Sequence, residues 1–170
     1  MQRVAIIGNS GGGKSVLARR VAERFDLPYV EVDRMLWRKG WRLAPDAEYR
    51  SEHTRAIAQD RWVMDGLGRR DSIPARLARA TDIVLIALPL WAHFWLAAER
   101  QIAWASGRLD APPAGIPEMP PTKGLFRMIW EVDRDWMPQI QALVSAEETR
   151  GKTVIRLTSL EELDGFTANL

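Results

Sequence analysis

The octapeptide Gly8-Asn9-Ser10-Gly11-Gly12-Gly13-Lys14-Ser15 constrains this chain more than any other stretch. It fits the spacing G-x-x-x-x-G-K-[ST] at every fixed position. Four apolar residues, Val4-Ala5-Ile6-Ile7, precede it as a short buried strand would, and helical periodicity follows from Val16 to Phe25. Glycines let such a turn take positive φ and aim successive N–H groups inward, and a helix beginning near Lys14 adds the positive end of its dipole. The pattern predicts a cradle for the phosphates of a nucleoside triphosphate, with Lys14 reaching the β- and γ-phosphates and Ser15 ligating magnesium. A plain glycine-rich turn has no need of the Lys-Ser pair.

The rest of the chain alternates strands with helices. Tyr29 to Val32 reads as a second strand ending at Asp33, Arg61 to Asp65 as a third, Asp82 to Leu88 as a fourth and Thr153 to Leu157 as a fifth. Helices are expected over Pro45 to Asp60, Ile73 to Ala80, Pro89 to Ser106 and Lys123 to Arg150, the last bent at Pro138. Ser159 with Glu162 forms a capping-box pattern for a final helix. Arg34 to Ala44 reads as irregular, and Leu109 to Pro121, with five of the ten prolines, as extended or looped. The alternation argues for an α/β chain whose parallel sheet is covered on both faces, in a single domain over 1–170.

Composition narrows the chemistry. There is no cysteine, so disulfides and thiolate metal sites are excluded, and the cytoplasm is the expected location. Only His53 and His93 are present, too few for a histidine-rich metal site; His53 is expected to be solvated and His93 to be a satisfied core or lid residue. No window offers the apolar length of a membrane span; Leu85 to Ala98 comes nearest and is interrupted by Pro89 and His93. A net charge of +2 gives no reason to expect nucleic acid as a partner. Twenty of the 24 cationic residues are arginine, which suits phosphate and carboxylate but is also what a GC-rich genome encodes.

In an open α/β sheet, ligands gather at the carboxyl ends of the strands, where Asp33 and Asp65 fall. Asp65, after an apolar run, suits a magnesium-holding acid, directly or through water; its alternative is a cap of the turn at Gly66. Asp33 suits a base for an acceptor hydroxyl; its alternative is an N-cap for the residues from Arg34. Trp37 and Trp41 flank Gly40 and are candidates for an aromatic wall around a flat or apolar acceptor. The remaining tryptophans, including Trp91 and Trp95 at helical spacing and Trp130, read as packing residues.

These features together resemble the adenylate-kinase-like branch of P-loop small-molecule and nucleotide kinases, and within it the bacterial topology modulation proteins. The resemblance rests on the phosphate loop, Asp33 with Leu36-Trp37 and Gly40-Trp41, the run Trp62-Val63-Met64-Asp65-Gly66, Leu88-Pro89 with Trp91, and Arg127, Ile129 and Trp130. It spans nearly the whole chain. It implies a three-layer P-loop NTPase fold with a five-stranded parallel sheet in the order 2-3-1-4-5, an acceptor-binding segment at about 33–60 and a helical lid at about 90–125. Carried over by position, Asp33 contacts the acceptor, Arg100 and Arg108 are lid arginines that meet the transferring phosphoryl group, and Arg69 and Arg70 stand where an anionic acceptor group would be held. For each of these four arginines the alternative is a solvated surface. The chain departs from the pattern at Glu99, Gln101, Ala103, Glu131, Asp133 and Asp135, where such families often carry arginines, and after Asp65-Gly66-Leu67-Gly68, which lacks an aromatic-proline pair. These departures weigh against a highly phosphorylated acceptor.

The expected activity is transfer of the γ-phosphoryl group from Mg-ATP to a small-molecule or nucleotide acceptor. Adenine and guanine remain open, with base contacts falling around Arg156 to Ser159. Two alternatives stand beside it: a nucleotide-dependent regulatory or DNA-topology-associated protein, and an ATP-binding scaffold without transfer.

Overall fold

Val4, Ala5, Ile6 and Ile7 are each at most 1% exposed. A run that is apolar at every position has no face to give to water, so it belongs in the middle of a parallel sheet. A computed structural model, which describes residues 1–109 and 112–170, places it there. Strand β1 (Arg3–Gly8) lies between β5 (Trp62–Asp65) and β6 (Asp82–Ile86), with β2 (Tyr29–Glu31) beyond β5 and β7 (Thr153–Leu157) beyond β6. Every pairing in this sheet is parallel. Counting its five strands in chain order, the arrangement is 2-3-1-4-5, as expected.

Alternation along β1 divides the core. Ala5 and Ile7 join Trp62, Met64 and Leu85 on one face, under α2 (Val32–Leu36), α3 (Asp46–Ile57), α4 (Ile73–Arg79) and α7 (Met137–Thr149). Val4 and Ile6 join Val63, Val84 and Ile86 on the other, under α1 (Lys14–Phe25), the start of α5 (Leu90–Ala105) and α8 (Leu160–Ala168). Ser159 caps α8 by accepting from the Glu162 amide at 3.1 Å. No helix is long and apolar enough to cross a membrane, among the described residues.

Several local expectations change. Val32 and Asp33 are not the end of a strand but the first turn of α2, because the chain turns off the sheet edge as soon as Glu31 has paired with Asp65. The stretch read as irregular holds a small antiparallel hairpin, β3 (Trp37–Arg38) with β4 (Arg42–Leu43), closed by Gly40 and Trp41 at φ of 70° and 56°. His53 is buried rather than solvated: Tyr49, His53 and Ile57, four apart, form the inner stripe of α3, and His53 stacks on Tyr49. The helix expected over 123–150 is three pieces, α6 (Thr122–Glu131), a widened π-helical turn (Val132–Trp136) and α7. The wide turn falls just before Pro138, where the missing N–H and the ring cannot continue an α-helical ladder. Trp91 and Trp95 do share a face of α5, but it points outward, leaving them 63% and 60% exposed. The proline-rich stretch expected from Leu109 to Pro121 includes Asp110 and Ala111, as does the expected lid, and those two lie outside the described residues.

Candidate active site

The loop after β1 turns once and enters α1. Gly11 and Gly13 hold it with φ of 77° and 73°, a left-handed region that costs glycine little. A β-carbon on Gly12 would stand 2.9 Å from Cε1 of His93, so the loop lies directly on α5. His93 Nδ1 donates to the Ser10 carbonyl at 2.9 Å, and burial pushes its pKa down to about 4, which keeps the ring neutral. Asn9 is fully buried beneath the loop; its Nδ2 donates to the carbonyl of Ile129 on α6 at 2.8 Å, and its Oδ1 accepts from the Ser10 amide. Ser10 to Ser15 line a cavity, while Gly8 and Asn9 anchor the loop from below.

Lys14 Nζ donates to the Asn9 carbonyl at 2.7 Å, folding the side chain back over the loop. Burial lowers its pKa, and the carboxylates of Asp33 and Asp65 oppose that shift. Ser15 Oγ donates to Oδ2 of Asp65 at 2.7 Å, and the Tyr29 hydroxyl donates to Oδ1 at 2.9 Å. Asp65 is only 2% exposed and does not itself line the cavity; Ser15 stands between. A serine whose proton is taken by a carboxylate keeps its lone pairs for a cation. Hydroxyl and carboxylate oxygens are the hard donors that magnesium accepts, one or two from protein and the rest from phosphate and water. The Ser15–Asp65 pair therefore fits that ion.

Asp33 lines the same cavity from the first turn of α2. Burial pushes its carboxyl up to about 6; Lys14 and Arg100 pull down, and Asp65 and Glu31 push up. Gly66 makes room for it, since a β-carbon there would lie 3.2 Å from Asp33 Oδ1. The N-cap position of α2 is held by Glu31, so Asp33 does not serve as that cap.

The structure separates Arg100 from Arg108. Arg100 lines the cavity, largely buried, with its Nε unpartnered among the described residues. Arg108 is exposed beyond the end of α5, and its Nε donates to Ser106 Oγ at 2.9 Å. Arg69 and Arg70 both border the cavity but are engaged. Arg69 donates from Nη2 to the Ala44 carbonyl at 2.9 Å and covers the Tyr49 ring; its buried Nε lies 3.2 Å from Asp46 Oδ1 as an ion pair without a hydrogen bond among the described residues. Arg70 donates to Gln139 Oε1 and the Asp135 carbonyl, and covers Trp136. Trp37 and Trp41 meet edge to face at 5.8 Å, and Trp41 continues onto Trp104 of α5 at 6.1 Å. The cavity they border is about 1060 Å³, above the usual range for a single small ligand and roomy enough for two.

Three residues of this site went unread in the sequence. Tyr29 fixes Asp65 from the neighbouring strand. Glu31 accepts from Arg34 Nε and from the Ala114 amide, each at 2.8 Å, and so ties the residues around Ala114 to the start of α2. Arg76, 1% exposed, donates to the carbonyls of Gly66 and Leu67 and fixes the turn after β5. The only signal for Arg76 is a cation on an apolar helix face; Tyr29 and Glu31 give none without the strand pairing.

Comparison with solved structures places this geometry in a known frame. A shikimate kinase from Acinetobacter baumannii in complex with shikimate superposes with a TM-score of 0.60 at 11% identity, covering 99% of this chain and 90% of that one. The two chains share one α/β fold. A gluconokinase from Sinorhizobium meliloti 1021 superposes with a TM-score of 0.51 at 16% identity, over 89% of this chain and 93% of that one. By sequence, a cytidylate kinase from Nitratidesulfovibrio vulgaris (strain DP4) is 40% identical over 58 residues, 34% of this chain. The match spans only 24% of that enzyme's length. No family model matches the chain.

Proposed function

We propose that this chain is a phosphotransferase that moves the γ-phosphoryl group of Mg-ATP to the hydroxyl of a small molecule. The observation that carries the reading is the convergence of Lys14, Ser15 and Asp33 on one cavity, with Asp65 held behind Ser15. The loop amides and the first turn of α1 hold the β- and γ-phosphates. Magnesium, when bound beside Ser15, neutralises charge on those phosphates. Asp33 takes the hydroxyl proton as the acceptor oxygen bonds to the γ-phosphorus; the bond from that phosphorus to the bridging oxygen breaks, and its electron pair leaves with ADP. Lys14 and Arg100 offset the charge that spreads over the equatorial oxygens. Arg108 serves this role only in an arrangement that frees it from Ser106.

The regulatory, DNA-topology-associated reading gains no geometric support of its own. Arg50 and Arg69 at the cavity are paired with Asp46 and Asp71. A coupled assay of ADP release with and without an acceptor library tests the proposal. An acceptor that raises the rate about tenfold or more over hydrolysis supports it; a best acceptor no faster than water sinks it.

A further inference from the structure

The acceptor half of the cavity has a chemistry of its own. Leu36, Trp37, Trp41, Leu67, Val132 and Trp136 line it, drawn from α2, the β3–β4 hairpin, the turn after β5 and the wide turn after α6. Leu36, Leu67 and Val132 are buried, and Trp37 packs against the core, so this wall is built rather than collapsed. Its cations are already spoken for. Arg50 lies between Asp46 and Asp71 at 2.5 Å from each, Arg69 is held by Asp46 and the Ala44 carbonyl, and Arg70 is turned to Gln139 and the Asp135 carbonyl. Glu31, Asp33, Asp46, Asp71 and Glu131 bring five carboxylates to the same lining. Arg19 of α1, which also lines the cavity, is exposed with its guanidinium over the Tyr29 ring, and Lys14 and Arg100 remain for the transferring phosphoryl group.

A phosphorylated acceptor would bring about two negative charges into a half where Arg50, Arg69 and Arg70 are already engaged and five carboxylates repel them, at a steep desolvation cost. A polyol would lose its water to aromatic and aliphatic walls, beside which Glu31, Asp46 and Asp71 already accept from arginines. A flat apolar body loses nothing by entering and gains the area it buries. We infer that the acceptor is an alcohol on a flat, mostly apolar body without a phosphate group, its ring against Trp37 and Trp41 and its hydroxyl at Asp33. The inference rests on the phosphotransferase reading for its reacting atoms, but the wall and the paired arginines stand independently of it.

Calorimetry in the presence of a magnesium complex of a non-hydrolysable ATP analogue tests it, with 2-phenylethanol and indole-3-methanol set against glycerol, inositol and cytidine monophosphate. ADP release from ATP is then measured with the same compounds. The expected result is at least about tenfold tighter binding of the aryl alcohols, with ADP release in the same order. Tightest binding of the monophosphate or a polyol, or no binding by any aryl alcohol, overturns the inferred class. Aryl alcohols that bind but release no ADP uphold the class and overturn the phosphotransferase reading. Trp41 also donates to the Glu118 carbonyl at 2.7 Å, so two variants separate its roles. Trp41→Phe keeps an aromatic face and is expected to weaken aryl alcohol binding less than Trp41→Ala; equal losses would assign Trp41 to lid attachment and remove it from the wall.

Discussion

Asp33 carries the sharpest prediction at the scale of single residues. Its carboxyl is raised to about 6 chiefly by burial, within reach of Lys14, Asp65, Glu31 and Arg100. Only the ionised form accepts a proton, so kcat/KM should fall about tenfold per pH unit below about 6. Glu31 pushes this carboxyl up, so Glu31→Gln should move that limb to lower pH; an unmoved limb assigns it to another group. The same shift has a stability sign. A carboxyl whose folded pKa lies above its unfolded value costs stability as pH rises through that window. Asp33→Asn should therefore raise Tm at pH 7, with the gain vanishing near pH 4, and a lower Tm at pH 7 would show that the charge is needed to hold Lys14. Tyr29 gives a second test, because its hydroxyl orients Asp65 behind Ser15. Tyr29→Phe should raise the magnesium needed for nucleotide binding by about tenfold, read by titrating the ion at fixed ATP analogue; an unchanged requirement removes Tyr29 from the site. Lys14, Ser15 and Asp65 were legible because they stand at fixed spacing or at a strand end, and Asp33 because it follows β2 closely, although it lies on the first turn of α2. Tyr29 was not, because its partner lies 36 positions away and is reached only through the β2–β5 pairing.

Among elements, the residues that follow α5 are tied to those at and after the end of β2. Glu31 holds the Ala114 amide, Trp41 holds the Glu118 carbonyl, and Trp104 of α5 donates to the Pro117 carbonyl. The segment from Ala114 to Glu118 is thus pinned from both sides of the cavity. Glu31→Ala should speed hydrogen exchange at the Ala114 amide about tenfold or more while leaving the β1 amides protected. Unchanged exchange at Ala114 would mean that the strap is held without Glu31. Sequence periodicity found the long helices and all five sheet strands, because each is apolar on the side it buries. It missed the β3–β4 hairpin, whose two-residue strands are too short to show alternation, and it misplaced Trp91 and Trp95. Spacing on α5 tells which residues share a face, but not whether another element covers that face.

Across the whole molecule, the parallel sheet sends β1, β2 and β5 toward one edge, and the phosphate loop, Asp33 and Asp65 follow their carboxyl ends there. Helices on both faces leave that edge as the place where two ligands can meet. Mg-ATP should accordingly stabilise the protein by about 2.7 kcal/mol at a hundred times its dissociation constant, and Lys14→Ala should abolish the accompanying rise in Tm. A rise that survives Lys14→Ala would place the nucleotide elsewhere. The most direct test of the account follows the phosphorus itself. Phosphorus NMR of the protein with Mg-ATP and an acceptor that binds beside Asp33 should show ADP and a new phosphomonoester appearing together, and neither with Lys14→Ala. ATP that binds yet yields only inorganic phosphate, or no new signal at all, would contradict it.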